Sequence, residues 1–529
     1  MLLTLVLWAL PMLLTAQGAA PLPEGVRAGF TLVDIPGYED CTLKSIFFDP
    51  VVDGADNNPL IIFISSWGLN KWEYVVPAND YASRGYTVVS YTARGFWESG
   101  GEIDMAGLKD QADLSAVIDW ALQHTRGDPS RVGLSGISYG GGLSLLGAAR
   151  DPRVKSVAAM SAWVDLAESF LGNGETIRKE AVRMLQLAAE LTGKPSAELE
   201  EVFDDYFSNT DLEFLYTYTY NSSAGNFVED INANGAAVFI ANALGDSLFT
   251  PNQFPEFFAE LTVPKHIEFA PGDHAGPEIP GLFGLPDQVW ARAGQWNDFY
   301  LSGDGEGGDP DMAAVTFNTK NGDEIESYDS FKDVTTSYLS FQLSDNERLL
   351  SAGADAGLPT DVVSSIRAGR SANISGGVAY ISETVQAYKD VQKEFSLDSI
   401  IRARGAVFVS EPLSSTDTTR LRGQPVLDLT FKPFDSNGTL VVYLMGVDQD
   451  NVGHLFTFSP WTFKDAAVGG ENALSIQLTM TAYDLPAGYR LAAVLATHDQ
   501  LYLDQNRFDA DIEFLGSSVL RMPINSAGV

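Results

Sequence analysis

The sequence predicts an α/β fold: a doubly wound parallel sheet carrying a helical cap insertion, followed by an all-β domain of the β-sandwich or jelly-roll kind. Three observations predict it. Short, nearly continuous apolar runs alternate with longer helical stretches through the first 300 residues, the pattern of strands joined by crossover helices. One mostly helical interval, 165–232, interrupts that alternation. Beyond a polar stretch at Ser302–Asp311 the apolar residues recur with period two, the signature of half-buried strands.

The candidate strands of the first part are Leu60–Ile64, Tyr86–Tyr91, Arg131–Ser135, Val154–Met160, Ala236–Ala241 and His266–Ala270. Their apolar character on both faces suits a sheet covered on both sides. Between two of them, Asp110–Gln123 places Leu114, Val117, Ile118 and Ala121 on one helical face. Within 165–232, Glu175–Ala189 and Ser196–Phe207 read as helices, and an aromatic-rich run follows at Phe214–Tyr220. An insertion there falls at the C-terminal edge of the sheet, where open α/β folds bind ligands, so it is the expected cap. Ser302–Asp311 (SGDGEGGDPD) has no apolar residue and reads as a linker. Val426–Phe431 and Leu474–Met480 then alternate as strands, with turn signals at Ser436-Asn437-Gly438 and Pro486-Ala487-Gly488. Residues 348–405 look partly helical. The expected organisation is a leader over 1–20, the α/β domain over 21–301 with its cap at 165–232, a linker at 302–311, and the β domain over 312–529.

The chain carries 33 Lys plus Arg against 70 Asp plus Glu, a net charge of −37. Such a field repels phosphate backbones, which argues against nucleic acid as a partner. A solvated acidic surface suited to salty surroundings is its plain reading, and attraction of a cationic substrate is the alternative. Cys41 is the single cysteine, so no internal disulfide can form. The five histidines show no metal-ligand spacing, and neither a metal nor a cofactor is expected. Residues 2–14 (LLTLVLWALPMLL) form an apolar run too short to span a bilayer, followed by the small-residue stretch Ala16-Gln17-Gly18. This reads as a signal peptide without its basic start, and a secreted or periplasmic protein is expected. No later run is long and apolar enough for a membrane span. Sequons stand at Asn221, Asn373 and Asn437.

Gly136-Ile137-Ser138-Tyr139-Gly140 matches G-x-S-x-G. Chance alone yields about 0.3 such matches in a chain of this composition, so context decides its meaning. The motif directly follows a buried-type strand and opens a small-residue helix, as the nucleophile elbow of an α/β-hydrolase requires. The glycines leave room where backbones crowd, and Tyr139 offers its backbone N–H to a developing oxyanion. A serine nucleophile needs a base, and in this fold the order is Ser, acid, His. His124 precedes the serine, His454 and His498 lie in the β domain, and His266 begins a strand. His274, in the loop after the last strand, is the candidate base. Asp246, in the loop after the preceding strand, is the candidate orienting acid; Asp273 competes with it, although neighbouring side chains rarely face one another.

With those residues in hand, the chain resembles the X-Pro dipeptidyl-peptidase and cocaine esterase-type hydrolases, a group that includes cephalosporin ester and amino-acid ester hydrolases. The matching segments are Gly85-Tyr86-Thr87-Val88-Val89, Ala93-Arg94-Gly95 with Glu98-Ser99-Gly100-Gly101, the elbow, Pro271-Gly272-Asp273-His274, and Pro486-Ala487-Gly488-Tyr489-Arg490. The resemblance implies a serine hydrolase with a C-terminal jelly roll, acting on small ester or amide substrates or short peptides. It leans to esters, with X-Pro dipeptidyl- or aminopeptidase activity as the alternative. It also implies a second oxyanion donor in the loop after Leu60–Ile64, where the family often uses a tyrosine hydroxyl and this chain has Trp67. Its indole or a backbone N–H near Trp67 or Gly68 would have to serve. Thr92 also replaces an aspartate common in the family. For peptidase chemistry, Asp204, Asp205, Asp211 and Glu213 of the cap are available to hold a free amine. A glycan-binding protein without catalysis is the reading from another class, and a homo-oligomer is compatible with all of them.

Overall fold

The computed structural model describes residues 26–27, 29–52, 57–301, 312–322, 325–351, 359–389 and 392–526. The expected leader and linker lie outside the described residues. The first part of the chain builds a ten-stranded sheet from β1 (Phe30–Pro36), β2 (Thr42–Phe48), β3 (Asn58–Ile64), β4 (Thr87–Tyr91), β5 (Gly127–Ile137), β6 (Val154–Met160), β7 (Ala237–Ala243), β8 (Lys265–Ala270), β9 (Val315–Asn318) and β10 (Ile325–Tyr328). Its order is β10-β9-β8-β7-β6-β5-β3-β4-β2-β1. The seven strands from β4 to β9 run parallel, and β1, β2 and β10 are antiparallel additions at the two edges. Strand β9 follows the polar stretch expected to separate the domains, yet β9 and β10 extend this sheet. Backbone pairing with the exposed side of β8 satisfies groups that an edge strand would leave to solvent.

Apolar runs became central strands because both faces are covered. Leu60, Ile62 and Ile64 face one cluster, and Ile61 and Phe63 face another. Each such side chain contributes roughly 1.5–3 kcal/mol when fully buried. The helix Leu108–His124 buries Leu114, Val117, Ile118 and Ala121, the four residues its periodicity singled out. The Arg-Gly motif also has a structural reason. Arg94 forms a buried pair with Asp113 of that helix, Nε to Oδ2 at 2.8 Å, and caps Tyr38 O at 3.0 Å. Gly95, with φ +75°, has no room for a Cβ, which would meet Ile103 N at 2.3 Å.

The interval expected as the cap contains helices Lys179–Thr192, Ala197–Ser208 and Leu212–Thr219, the last built from the aromatic run. Beyond β10, strands from Ser337 to Ile524 form a second, all-β network. In Val426–Pro433 the alternation turns Leu427, Leu429 and Phe431 inward. The strand Gly438–Val447 is buried throughout. Leu440, Val442 and Leu444 face the β core, whereas Val441, Tyr443 and Met445 join the cluster shared with the hydrolase sheet and cap. Among the described residues, 348–405 are partly helical, with the helix Ser382–Lys389 and a 3-10 turn at Leu397–Ser399 beside strands at Arg348–Ser351, Val362–Arg367 and Lys393–Ser396. No helix among the described residues is long and apolar enough to cross a membrane.

Candidate active site

The elbow follows from steric demands at the end of β5. Ser138 takes φ 56° and ψ −115°, a conformation costing about 1–3 kcal/mol, between the strand and the helix Tyr139–Arg150. The flanking residues must be glycine. A Cβ at Gly136 would stand 2.6 Å from Gly140 C, and one at Gly140 would stand 2.1 Å from Ile64 O. Replacing Gly140 with Ala is therefore expected to lower stability by about 3 kcal/mol or more, read as a fall in the urea midpoint. An unchanged midpoint would contradict this packing.

The structure brings three of the expected residues together. His274 Nε2 lies 2.8 Å from Ser138 Oγ, and His274 Nδ1 lies 2.9 Å from Asp246 Oδ2. All three are buried. Asp246 Oδ1 accepts hydrogen bonds from Leu248 N at 2.9 Å and Phe249 N at 2.7 Å, which fix the carboxylate toward the imidazole. The rival Asp273 makes no hydrogen bond to the ring among the described residues, its Oδ1 accepting instead from Ser247 N at 2.7 Å and from the backbone N of His274 at 2.8 Å. The remaining histidines are elsewhere: His266 contacts Ala313 O, His454 pairs with Asp448, His498 with Asp504, and His124 stacks on Trp120.

Burial alone pushes the His274 pKa down, but the charge and hydrogen bond of Asp246, with further help from Asp273 and Glu278, outweigh it and hold it above the ordinary value. This favours an imidazolium, the species formed when the ring takes a serine proton. Tyr139 is the first residue of its helix, so its backbone N–H is one of the donors that helix geometry leaves unpaired. Its phenol is committed to structure, donating to Asp110 Oδ2 at 2.8 Å and accepting from Ala106 N at 2.6 Å. Trp67 packs edge-on against the Tyr139 ring at 5.3 Å. Its indole N–H donates to Leu185 O of the cap at 2.8 Å, and its backbone N–H makes no hydrogen bond among the described residues.

Several residues of the site carried no motif. Ser66 beside Trp67 donates its backbone N–H to Glu73 Oε2 at 2.7 Å, and its hydroxyl lies 2.6 Å from Glu73 Oε1 and 2.9 Å from Ile137 O. Tyr74 Oη accepts from Ile137 N at 2.8 Å. This network ties the loop after β3 to the elbow. Burial pushes the Glu73 carboxyl up to about 7, against the hydrogen bonds from Ser66. On the histidine side, Tyr380 sets its ring edge-on to His274 at 5.6 Å and donates to Ala181 O at 2.9 Å, while Tyr388 donates to Gly276 O at 2.7 Å. Both come from the segment 348–405, read from the sequence only as partly helical.

Glu278 lies beneath the histidine loop, with Ser161 Oγ 3.0 Å and 3.2 Å from its two oxygens and Ala275 N donating to that same hydroxyl. Burial pushes its carboxyl up to about 8, opposed by the Ser161 hydrogen bond and by His274. The folded state therefore keeps a proton that the unfolded chain loses near the ordinary 4.5. Its contribution to stability is present below that value and is lost as pH rises toward about 8. Between about pH 5 and about pH 9, Glu278→Gln is expected to lose less melting temperature than the wild type. Equal losses would show that Glu278 is ionised throughout.

Fold and site together define an α/β-hydrolase with a serine, histidine and aspartate in line. The family described as X-Pro dipeptidyl-peptidase (S15 family) matches residues 40–276 of this chain. It is similar over 96% of its length to three solved structures. These are an aminopeptidase from a marine sediment archaeon, Thaumarchaeota archaeon (15% identity, 98% of that chain, TM-score 0.73), an α-amino acid ester hydrolase (15%, 98%, TM-score 0.71) and a CocE/NonD family hydrolase from Staphylococcus aureus (12%, 99%, TM-score 0.68). At those identities the likeness is one of fold. A curated Escherichia coli relative, an uncharacterized 31.7 kDa protein, is 30% identical over 155 residues, which are 29% of this chain and 54% of that protein. The chain thus spans about half the length of the curated relatives it matches.

Proposed function

We propose that this protein is a serine hydrolase that cleaves carboxylic ester or amide bonds through an acyl-enzyme, with esters favoured. The observation that carries this reading is the continuous line from Asp246 Oδ2 through His274 to Ser138 Oγ, with both links under 3 Å. His274 takes the Ser138 proton as Oγ attacks the carbonyl carbon, and the imidazolium then donates that proton to the leaving group. Water enters, gives a proton to the same ring, and releases the acid. Asp246 holds the tautomer that leaves Nε2 free to accept. The oxyanion is held by the backbone N–H groups of Tyr139 and Trp67, since the Trp67 indole is engaged by the cap.

The preference for esters rests on the cap. Asp204, Asp211 and Glu213 are exposed, Asp205 accepts from Thr210, and none of the four bonds to the triad among the described residues. None of the four is buried as a preorganised anchor for a substrate amine would be, and that favours the ester reading. Hydrolysis of p-nitrophenyl acetate beside Ala-Pro-p-nitroanilide, in high and low salt, tests the reading. Faster turnover of the acetate is expected, with Ser138 labelled by a fluorophosphonate. Preferential cleavage of the anilide would make the protein a peptidase. No turnover and no labelling would remove the hydrolase reading altogether.

A further inference from the structure

Behind the triad acid, where the cap, the loop after β7 and the β domain meet, lies a cavity of about 30 Å³. Asp246 forms part of its wall, but neither Ser138 nor His274 lines it. It is therefore separate from the place where the scissile bond must sit. Arg178 lines it with only 7% of its surface exposed. Its Nε is buried without a hydrogen-bond partner, and its guanidinium forms no ion pair among the described residues. Glu168 is near enough to sense the Arg178 charge but does not pair with it. In a chain with 70 carboxylates and 33 cationic side chains, an unpaired buried arginine is out of keeping with the general balance. Holding a guanidinium with its Nε buried and no paired counter-charge is unfavourable, and a bound anion would relieve it.

The rest of the wall makes an anion the fitting counter-charge. Arg178 is the N-cap residue of the helix Lys179–Thr192, and Ala181 of its first turn also lines the cavity, so the positive end of the helix dipole adds to the guanidinium. Lys320 also lines it, but its charge is balanced by Glu383, so Arg178 is the cation of the wall without a paired carboxylate among the described residues. The two carboxylates in the wall are already occupied. Asp246 is engaged by His274 and two backbone N–H groups, and Glu383 Oε2 lies 3.1 Å from Lys320 Nζ. At roughly 10–15 Å³ for each water, the space accepts about two waters or one monatomic anion, too little for an amino acid or an acyl group.

We infer that this cavity is a binding site for a small monovalent anion of the halide class, held by Arg178 at the junction of cap, hydrolase sheet and β domain. The site stands apart from the proposed hydrolysis and holds whether or not that reading does. Occupied, it joins the cap helix to the loop that carries Asp246, so the ion stabilises the folded chain in proportion to its concentration. Sodium chloride is expected to raise the melting temperature by about 2 °C or more over sodium gluconate at equal ionic strength. Arg178→Lys should weaken that difference and Arg178→Gln should remove it. Bromide-soaked crystals of the wild-type chain decide independently of how the variants fold. An anomalous peak beside the Arg178 guanidinium supports the site. Water alone in the cavity, bromide only at the outer surface, or an equal chloride response in Arg178→Gln overturns it.

Discussion

Ser138→Ala is expected to lower kcat by roughly 10⁴–10⁶-fold while leaving the melting temperature almost unchanged. The hydroxyl is the atom 2.8 Å from His274 Nε2, and no other serine, threonine or cysteine hydrogen-bonds to that nitrogen among the described residues. Alanine meets the same backbone demand at φ 56° that serine does, so the elbow retains its strain and its shape. The residual rate would come from substrate binding and the backbone N–H donors, which persist in the variant. Single-turnover kinetics with p-nitrophenyl acetate, alongside thermal unfolding, measures both quantities. A variant that keeps more than about a tenth of the wild-type kcat would remove Ser138 from the role of nucleophile.

Asp246→Asn is expected to cost about 10⁴-fold in kcat, whereas Asp273→Asn costs less than about 10-fold. The carboxylate of Asp246 accepts from two backbone N–H groups on one oxygen and faces His274 Nδ1 with the other. With the first oxygen so held, an asparagine must point its NH₂ at the ring, which forces the proton onto Nε2 and leaves no lone pair for Ser138. Asp246 is also the principal group holding the His274 pKa up against burial. Its loss lowers that pKa, so the acid limb of the residual pH–rate profile should move to lower pH. Asp273 meets the backbone rather than the imidazole, and burial together with the neighbouring Asp246 charge pushes its carboxyl up to about 7. An asparagine there keeps an acceptor for both N–H groups. Measuring kcat against pH for the two variants separates the roles, and similar losses at both positions would refute the assignment.

Much of this architecture was readable because its causes are local. Each candidate strand named in the first part of the sequence, from Leu60–Ile64 to His266–Ala270, became a strand, with ends shifted by only a few residues, since a strand buried on both faces must be apolar throughout. The cap and the β domain were legible from changes in periodicity. What escaped was set by packing between distant segments. The strands Val315–Asn318 and Ile325–Tyr328 sit beyond a polar break yet pair with the first sheet, because hydrogen-bonding demand at an edge leaves no trace in side-chain pattern. Glu73 and Tyr74 belong to no motif of the sequence, although they brace the loop that carries Trp67.

By itself the sequence determined the alternating strand–helix core, the elbow at Ser138 and the order in which acid and histidine follow it, all consequences of steric and periodic rules acting within a few residues. Only the tertiary structure set the Asp246 carboxylate 2.9 Å from His274 Nδ1, engaged the Trp67 indole with Leu185 O, and set Tyr380 against His274. Those outcomes depend on which side chains meet across long stretches of chain, 28 residues for Asp246 and His274, 118 for Trp67 and Leu185, and 136 for Ser138 and His274. Such meetings are settled by the packing of whole elements, which no local pattern encodes.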